Sequence, residues 1–311
     1  MRRLYATQVC CSLFFSMTFS TQAYAVGEIL IDKLLRSDFI YDRDVTNMPF
    51  IPLGYLTASN QSDLQIEKCP LAEQENCEFD YQSLNQGAGL PVWVGQKHMV
   101  VLAETLDVDR FSSPNGSTTI NTGGLMAAWA SQFSTTWQSA AFLYYYHHLD
   151  SGNRNENANG TIGGFVGRYR HGADFHSYWG AVQADAGDET LIYPYVGFDW
   201  FINKYWSVVA IIPWPSINYS PNEHQIFKLG ALVSGTSWSL QQDDTFSAQD
   251  FSQVSVGFSF EQKLSSTLWG EVSVGYTGLG KLEVETDADS SLSTDISNEP
   301  FFRLALNARP F

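Results

Sequence analysis

Tyr144–Gly152 reads YYYHHLDSG and gathers two imidazoles (His147, His148), a carboxylate (Asp150) and a hydroxyl (Ser151) in a few residues. A serine nucleophile, a histidine base and a carboxylate that orients the base are the parts of acyl-transfer catalysis. Ser151 with His147 is the pair that would serve a lipid hydrolase. The set needs convergence in space, and adjacency works against it, because neighbouring residues of a strand point to opposite faces. No G-x-S-x-G accompanies it. The plainer reading is a strand that ends in interfacial Tyr and His before a polar loop. A second candidate, Asp287–Asn298 (DADSSLSTDISN), has the spaced acids of a calcium loop. An EF-hand needs Gly at its sixth place and Glu at its twelfth, and Leu292 and Asn298 stand there. No catalytic residue, metal site or cofactor is predicted. Arg168 and Arg170 in GRYRHG, with Asp199, are the third group, because they are charges inside otherwise apolar alternation.

That alternation organises the chain. In QVSVGFSFEQ, Val254, Val256, Phe258 and Phe260 share one face, and Ser255, Gly257, Ser259 and Glu261 share the other. LWGEVSVGYTG repeats the pattern with Val272, Val274 and Tyr276. In LIYPYVGFDWF, Ile192, Val196, Phe198 and Trp200 oppose Tyr193, Tyr195, Gly197 and Asp199. Period two over such lengths predicts antiparallel strands. The polar face is small and neutral, and only 16% of residues are charged, against roughly 25% in soluble domains. Trp129, Trp137, Trp200, Trp206, Trp214 and Trp269 fall near strand ends, where membrane barrels carry aromatic girdles. A soluble β-sandwich also alternates, but its strands run nearer 5–6 residues. A charge on a lipid face costs about 2–4 kcal/mol at mid-membrane, so Arg168, Arg170 and Asp199 are expected in the lumen or at an interface, where they would line a pore or bridge carboxylates in a packed interior.

The first residues, MRRLYATQVCCSLFFSMTFSTQAYA, read as a signal peptide over 1–25. Arg2 and Arg3 precede a short apolar run, and Ala23-Tyr24-Ala25 is a cleavage site. Its removal takes two positive charges from a net −16 and leaves −18. Such an acidic chain is not a nucleic-acid binder. Export makes Cys69 and Cys77, in CPLAEQENC, a predicted disulfide. Residues 26–48 are expected to form a periplasmic segment, and 49–311 the barrel.

Loop lengths give the strand count. Short turns at Gly95–Lys97, Ser134–Thr136, His171–Asp174, Asn203–Lys204 and Lys263–Thr267 alternate with long polar loops at Phe111–Thr119, Asp150–Gly160, Gln241–Asp250 and Glu285–Glu299. Keeping them in phase requires an additional strand at Ser216–Tyr219 and gives fourteen strands. Dropping it and a weak one at Phe50–Thr57 gives twelve. Chain length favours about 12, within a range of about 10–14, for a closed antiparallel transmembrane β-barrel.

The leader, the alternation and a final strand ending in Phe (FFRLALNARPF) resemble Gram-negative outer-membrane β-barrels. Phe311 is out of phase with Phe302, Leu304, Leu306 and Ala308, so either a bulge resets the register or the assembly signal is degenerate. Tyr193–Pro221 further resembles an uncharacterised family of outer-membrane barrels with no assigned activity. The resemblance implies outer-membrane lipids, lipopolysaccharide and the barrel-assembly machinery as partners, and leaves the oligomeric state open. The functional expectation is a non-enzymatic passive pore, small-solute transporter or structural surface protein. The alternatives are a membrane-embedded lipid hydrolase and a soluble secreted β-sandwich that binds a ligand.

Overall fold

The computed structural model describes residues 45–49, 52–66, 77–114, 116–150, 159–186, 189–212, 214–242, 245–286 and 290–309. Alternating sequence becomes strand throughout: β1 (Gly54–Ile66), β2 (Cys77–Val94), β3 (His98–Ser113), β4 (Gly116–Gln132), β5 (Trp137–Asp150), β6 (Asn159–Arg170), β7 (Phe175–Ala186) and β8 (Glu189–Phe201). Then follow β9 (Trp206–Ile211), β10 (Ser216–Asn222), β11 (Gln225–Gln242), β12 (Thr245–Lys263), β13 (Leu268–Thr286), β14 (Ser290–Ile296) and β15 (Pro300–Ala308). From β1 to β14 each pairs antiparallel with the next in sequence, β15 pairs with β13, and β1 pairs with β15 and β14 to close the sheet.

The β14 and β15 segments are two halves of one stave. β13 pairs with β14 through Gly280–Thr286 and with β15 through Leu268–Tyr276, and β1 meets both. The closed wall therefore has 14 staves. The difference from twelve comes from two real strands that the shorter count omitted: β10 at Ser216–Asn222 and β1 from Gly54. Three predicted long loops are also mostly strand. Gln241, Gln242 and Thr245–Asp250 belong to β11 and β12, Glu285–Glu299 contains β14, and Phe111–Ser113 and Gly116–Thr119 belong to β3 and β4. Their polar residues suit strands that rise out of a membrane.

A change of polarity along single strands marks that emergence. Near the short turns, outward residues are mostly apolar, Gln86 and Glu104 excepted, and many inward ones are small or polar. On β2, Leu84 and Leu90 are exposed outward, while Ser83, Asn85 and Gly87 face in. Farther up the same strand the order inverts: Glu78, Asp80 and Gln82 face out, and Phe79 and Tyr81 are buried inside. β12 inverts between Val254 and Ser252, where Phe251 turns inward, and β3 between Val108 and Arg110. The lower zone is about ten residues tall per strand, the height of a tilted strand crossing a bilayer. The upper zone has the polarity of an ordinary water-soluble sheet.

Local irregularities serve curvature. Bulges interrupt β1 between Gln61 and Leu64, where Asp63 has φ 61, and β13 opposite Ser252–Val254, where Leu279 has φ 50. A bulge bends a strand and increases twist, and both lie where polarity inverts. At Gly197 an inward Cβ would sit 2.3 Å from the Ala210 carbonyl oxygen, so the wall folds sharply there and admits no side chain.

Candidate functional site

The inward face of the lower zone holds a belt of matched polar groups. On β12, Glu261 is 1% exposed. It accepts from Arg309 Nη2 at 2.7 Å, and Lys228 Nζ of β11 lies 3.7 Å away. On β13, Glu271 accepts from Arg303 Nη2 at 2.7 Å, Ser273 Oγ at 2.8 Å and Asn307 Nδ2 at 3.1 Å. These bonds tie the last stave to its neighbours before the chain ends. Glu261 and Glu271 each have a cation within direct contact, so these charges brace the wall and do little to attract ions.

The sequence-selected charges sit on the same face farther round. Arg168 of β6 is buried, donates from Nη1 to Gln138 Oε1 at 2.8 Å and lies over the Tyr178 ring. Asp199 of β8 is buried between His176 Nδ1 at 2.6 Å and Tyr178 Oη at 2.8 Å. Arg170 lies at the strand end, and its Nε donates to the Gly172 carbonyl at 3.0 Å. Arg168 and Asp199 thus share the neighbour Tyr178, while Arg170 belongs to the turn.

At the mouth beside the short turns, the leading segment enters this belt. Asn47 is buried; its N–H donates to the Lys204 carbonyl at 2.8 Å and its Nδ2 to the Ser220 carbonyl at 3.0 Å. Leu53 is held on the far rim, between the Ala308 carbonyl and the Gly89 N–H. Sequence reasoning missed this because Asn47 carries no alternation signal.

The upper zone is packed with apolar side chains. Leu64, Ile66, Phe79, Tyr81, Ile120, Phe251, Leu282 and Ile296 form one buried cluster with Phe111 against it. Phe251 of β12 has no exposed surface, and its ring lies 5.1 Å from Tyr81, 5.4 Å from Phe111 and 6.3 Å from Phe79. β12 and β3 are five staves apart. In a round barrel of this size their backbones would stand on the order of 25 Å apart. Ring contact across that span means that the wall is folded inward above the bilayer zone. Tyr81 Oη also donates to Asp109 at 2.7 Å, which satisfies a carboxylate inside the cluster. The alternation of β2 and β12 already contained these rings, and the phase reversal was the signal that would have found them.

The hydrolase constellation does not assemble among the described residues. His148 is buried with Nδ1 2.6 Å from Thr122 Oγ1, whereas His147 meets Asn159 Oδ1 on the other face. Ser151 lies outside the described residues. Ser131 meets His98 at 3.0 Å and Ser177 meets His171 at 2.9 Å, neither with a carboxylate on the ring among the described contacts. The described residues hold no group of three metal-ligating side chains. Cys77 opens β2, and Cys69 and the leader lie outside the described residues.

These features define a closed antiparallel β-barrel with a lipid-facing outer wall. No family model and no curated protein sequence matches the chain. Solved structures of outer-membrane barrels are similar at low level. The translocator domain of the autotransporter NalP from Neisseria meningitidis has 10% identity and a TM-score of 0.39, with 96% of this chain and 98% of that one covered. A Pseudomonas aeruginosa FadL homologue has 9% identity and a TM-score of 0.45, covering 83% and 90%. The KdgM porin has 8% identity and a TM-score of 0.34, covering 82% and 98%. The fold itself rests on the strand pairing described above.

Proposed function

We propose that this chain is a bacterial outer-membrane barrel that passes a small solute through a lumen closed at rest. The observation that carries this reading is the Phe251 ring packed across the lumen against Tyr81 and Phe111. A dry apolar constriction gates by excluding water. Arg168 and Asp199 line the passage below it in this reading, and outer-membrane lipids, lipopolysaccharide and the assembly machinery are its surroundings. The signal peptide over 1–25 and the Cys69–Cys77 disulfide belong to the same proposal. The test is swelling of proteoliposomes in an uncharged sugar. The refolded protein is expected to swell no faster than empty liposomes. Rapid swelling by the unmodified chain would overturn the closed lumen, and recovery of the exported chain from the soluble periplasm would overturn the barrel location.

A further inference from the structure

Two staves are too short for the wall they belong to. β9 has 6 residues and β10 has 7, between β8 with 13 and β11 with 18. A tilted strand of six residues rises only about 15 Å from the rim, and the hydrocarbon layer is about 25–30 Å tall. The last β8–β9 pair is Gly197 with Ile211, and the last β10–β11 pair is Ser216 with Gly230. Above these, β8 is laddered to β7 and β11 to β12, and no described strand joins β8 to β11. The wall therefore has a notch about two strands wide in the upper half of its bilayer zone.

The hairpin tip below the notch is suited to lipid. It reads Ile211-Ile212-Pro213-Trp214-Pro215. Backbone donors in hydrocarbon must be satisfied internally, and proline has none. The Ile212 N–H donates to the Val196 carbonyl at 3.4 Å, and the Trp214 N–H to the Ile211 carbonyl at 2.7 Å. The two prolines remove the remaining N–H groups of Ile212–Pro215. The β8 edge follows the same logic. Val196 turns its backbone toward β9, so two residues on Pro194 faces the notch without an N–H. The rim is apolar and exposed: Ile212 at 68%, with Ile192, Val196, Trp214 and Leu229. Behind it the inward face changes character as well. Val209 and Ile211 make it apolar beside the notch, and inward-facing Tyr193 is 53% exposed.

We propose that this notch is a lateral opening through which the acyl chain of an outer-leaflet lipid reaches the lumen beside Ile211 and Tyr193. The proposal rests on the membrane-spanning reading above and adds a second way into the lumen.

The test uses the full-length chain with Cys10, Cys11, Cys69 and Cys77 replaced by serine. A bimane label is placed on single cysteines at Ile211 or Tyr193, at inward-facing Met126 of similar height on β4, and at outward-facing Val256. The proteins are reconstituted in phosphatidylcholine vesicles whose acyl chains carry bromine. Ile211→Cys is expected to be quenched several-fold more than Met126→Cys and nearly as much as Val256→Cys. Tyr193→Cys serves the same purpose if Ile211→Cys does not fold. Quenching at Val256 with Ile211 no better than Met126 would overturn the opening alone. Quenching of Ile211 and Tyr193 by aqueous iodide but not by bromolipid would also overturn it. Absence of quenching at Val256 would overturn the membrane reading itself.

Discussion

Replacing Arg309 by Met removes a cation from a nearly dry site. Its Nη2 lies 2.7 Å from Glu261 Oε2, with side-chain exposures of 8% and 2%. Breaking one partner of a buried ion pair costs about 3–5 kcal/mol, because the other charge stays buried. Lys228 remains 3.7 Å from Glu261, but its side chain is 36% exposed, so its compensation is held to about 1 kcal/mol by solvent screening. Arg309 also lies over the Trp269 ring, with a centroid distance of 5.8 Å, a contact worth about 1 kcal/mol. The net loss is about 4 kcal/mol, roughly a 900-fold change in the folding equilibrium. Urea unfolding in lipid vesicles, followed by Trp fluorescence, reads it directly. Adding Glu261→Gln to Arg309→Met is expected to recover more than half of the loss, since the stranded charge is then gone. A change below about 0.5 kcal/mol for Arg309→Met would refute the reasoning and mark the pair as solvated.

Three further outcomes are expected. Gly197→Val would place a side chain 2.3 Å from the Ala210 carbonyl oxygen and is expected to abolish the heat-modifiable folded band. Gly163→Ala, whose Cβ would meet nothing closer than 3.7 Å, keeps that band. Mass spectrometry without reductant is expected to find Cys69 joined to Cys77, and reduction to cost about 2.5 kcal/mol from its short loop; two free thiols in exported protein would contradict this. Ser151→Ala is expected to leave fatty-acid release from phospholipid vesicles unchanged from that of the parent, and a loss of release would restore the hydrolase reading.

Sequence alternation was enough to identify the barrel because lipid on one side and lumen on the other impose period two on nearly every strand. It placed Val256, Val272 and Ile192 on one face and Ser255 and Ser273 on the other, as the structure has them. It undercounted staves because β10 is short and carries a polar inward face of Asn218 and Ser220. The long acidic loops were misassigned for a related reason. Above the membrane strands carry polar residues, so Asp250 and Glu285 read as loop although Asp250 pairs with Glu283 and Glu285 with Ala248 in the β12–β13 ladder. The ion pairs were beyond reach, since Glu261 and Arg309 meet across an intervening strand and only the register brings them together.

The closed lumen is tested most directly by single-channel recording in planar bilayers, comparing the unmodified chain with Phe251→Ala. That substitution removes the ring in contact with Tyr81 and Phe111 and is expected to cost about 3–5 kcal/mol of stability. The account predicts a silent membrane with the unmodified protein and long-lived ohmic steps with the variant. Steady steps of equal size from both would contradict it, because the aromatic cluster would then not be what closes the passage.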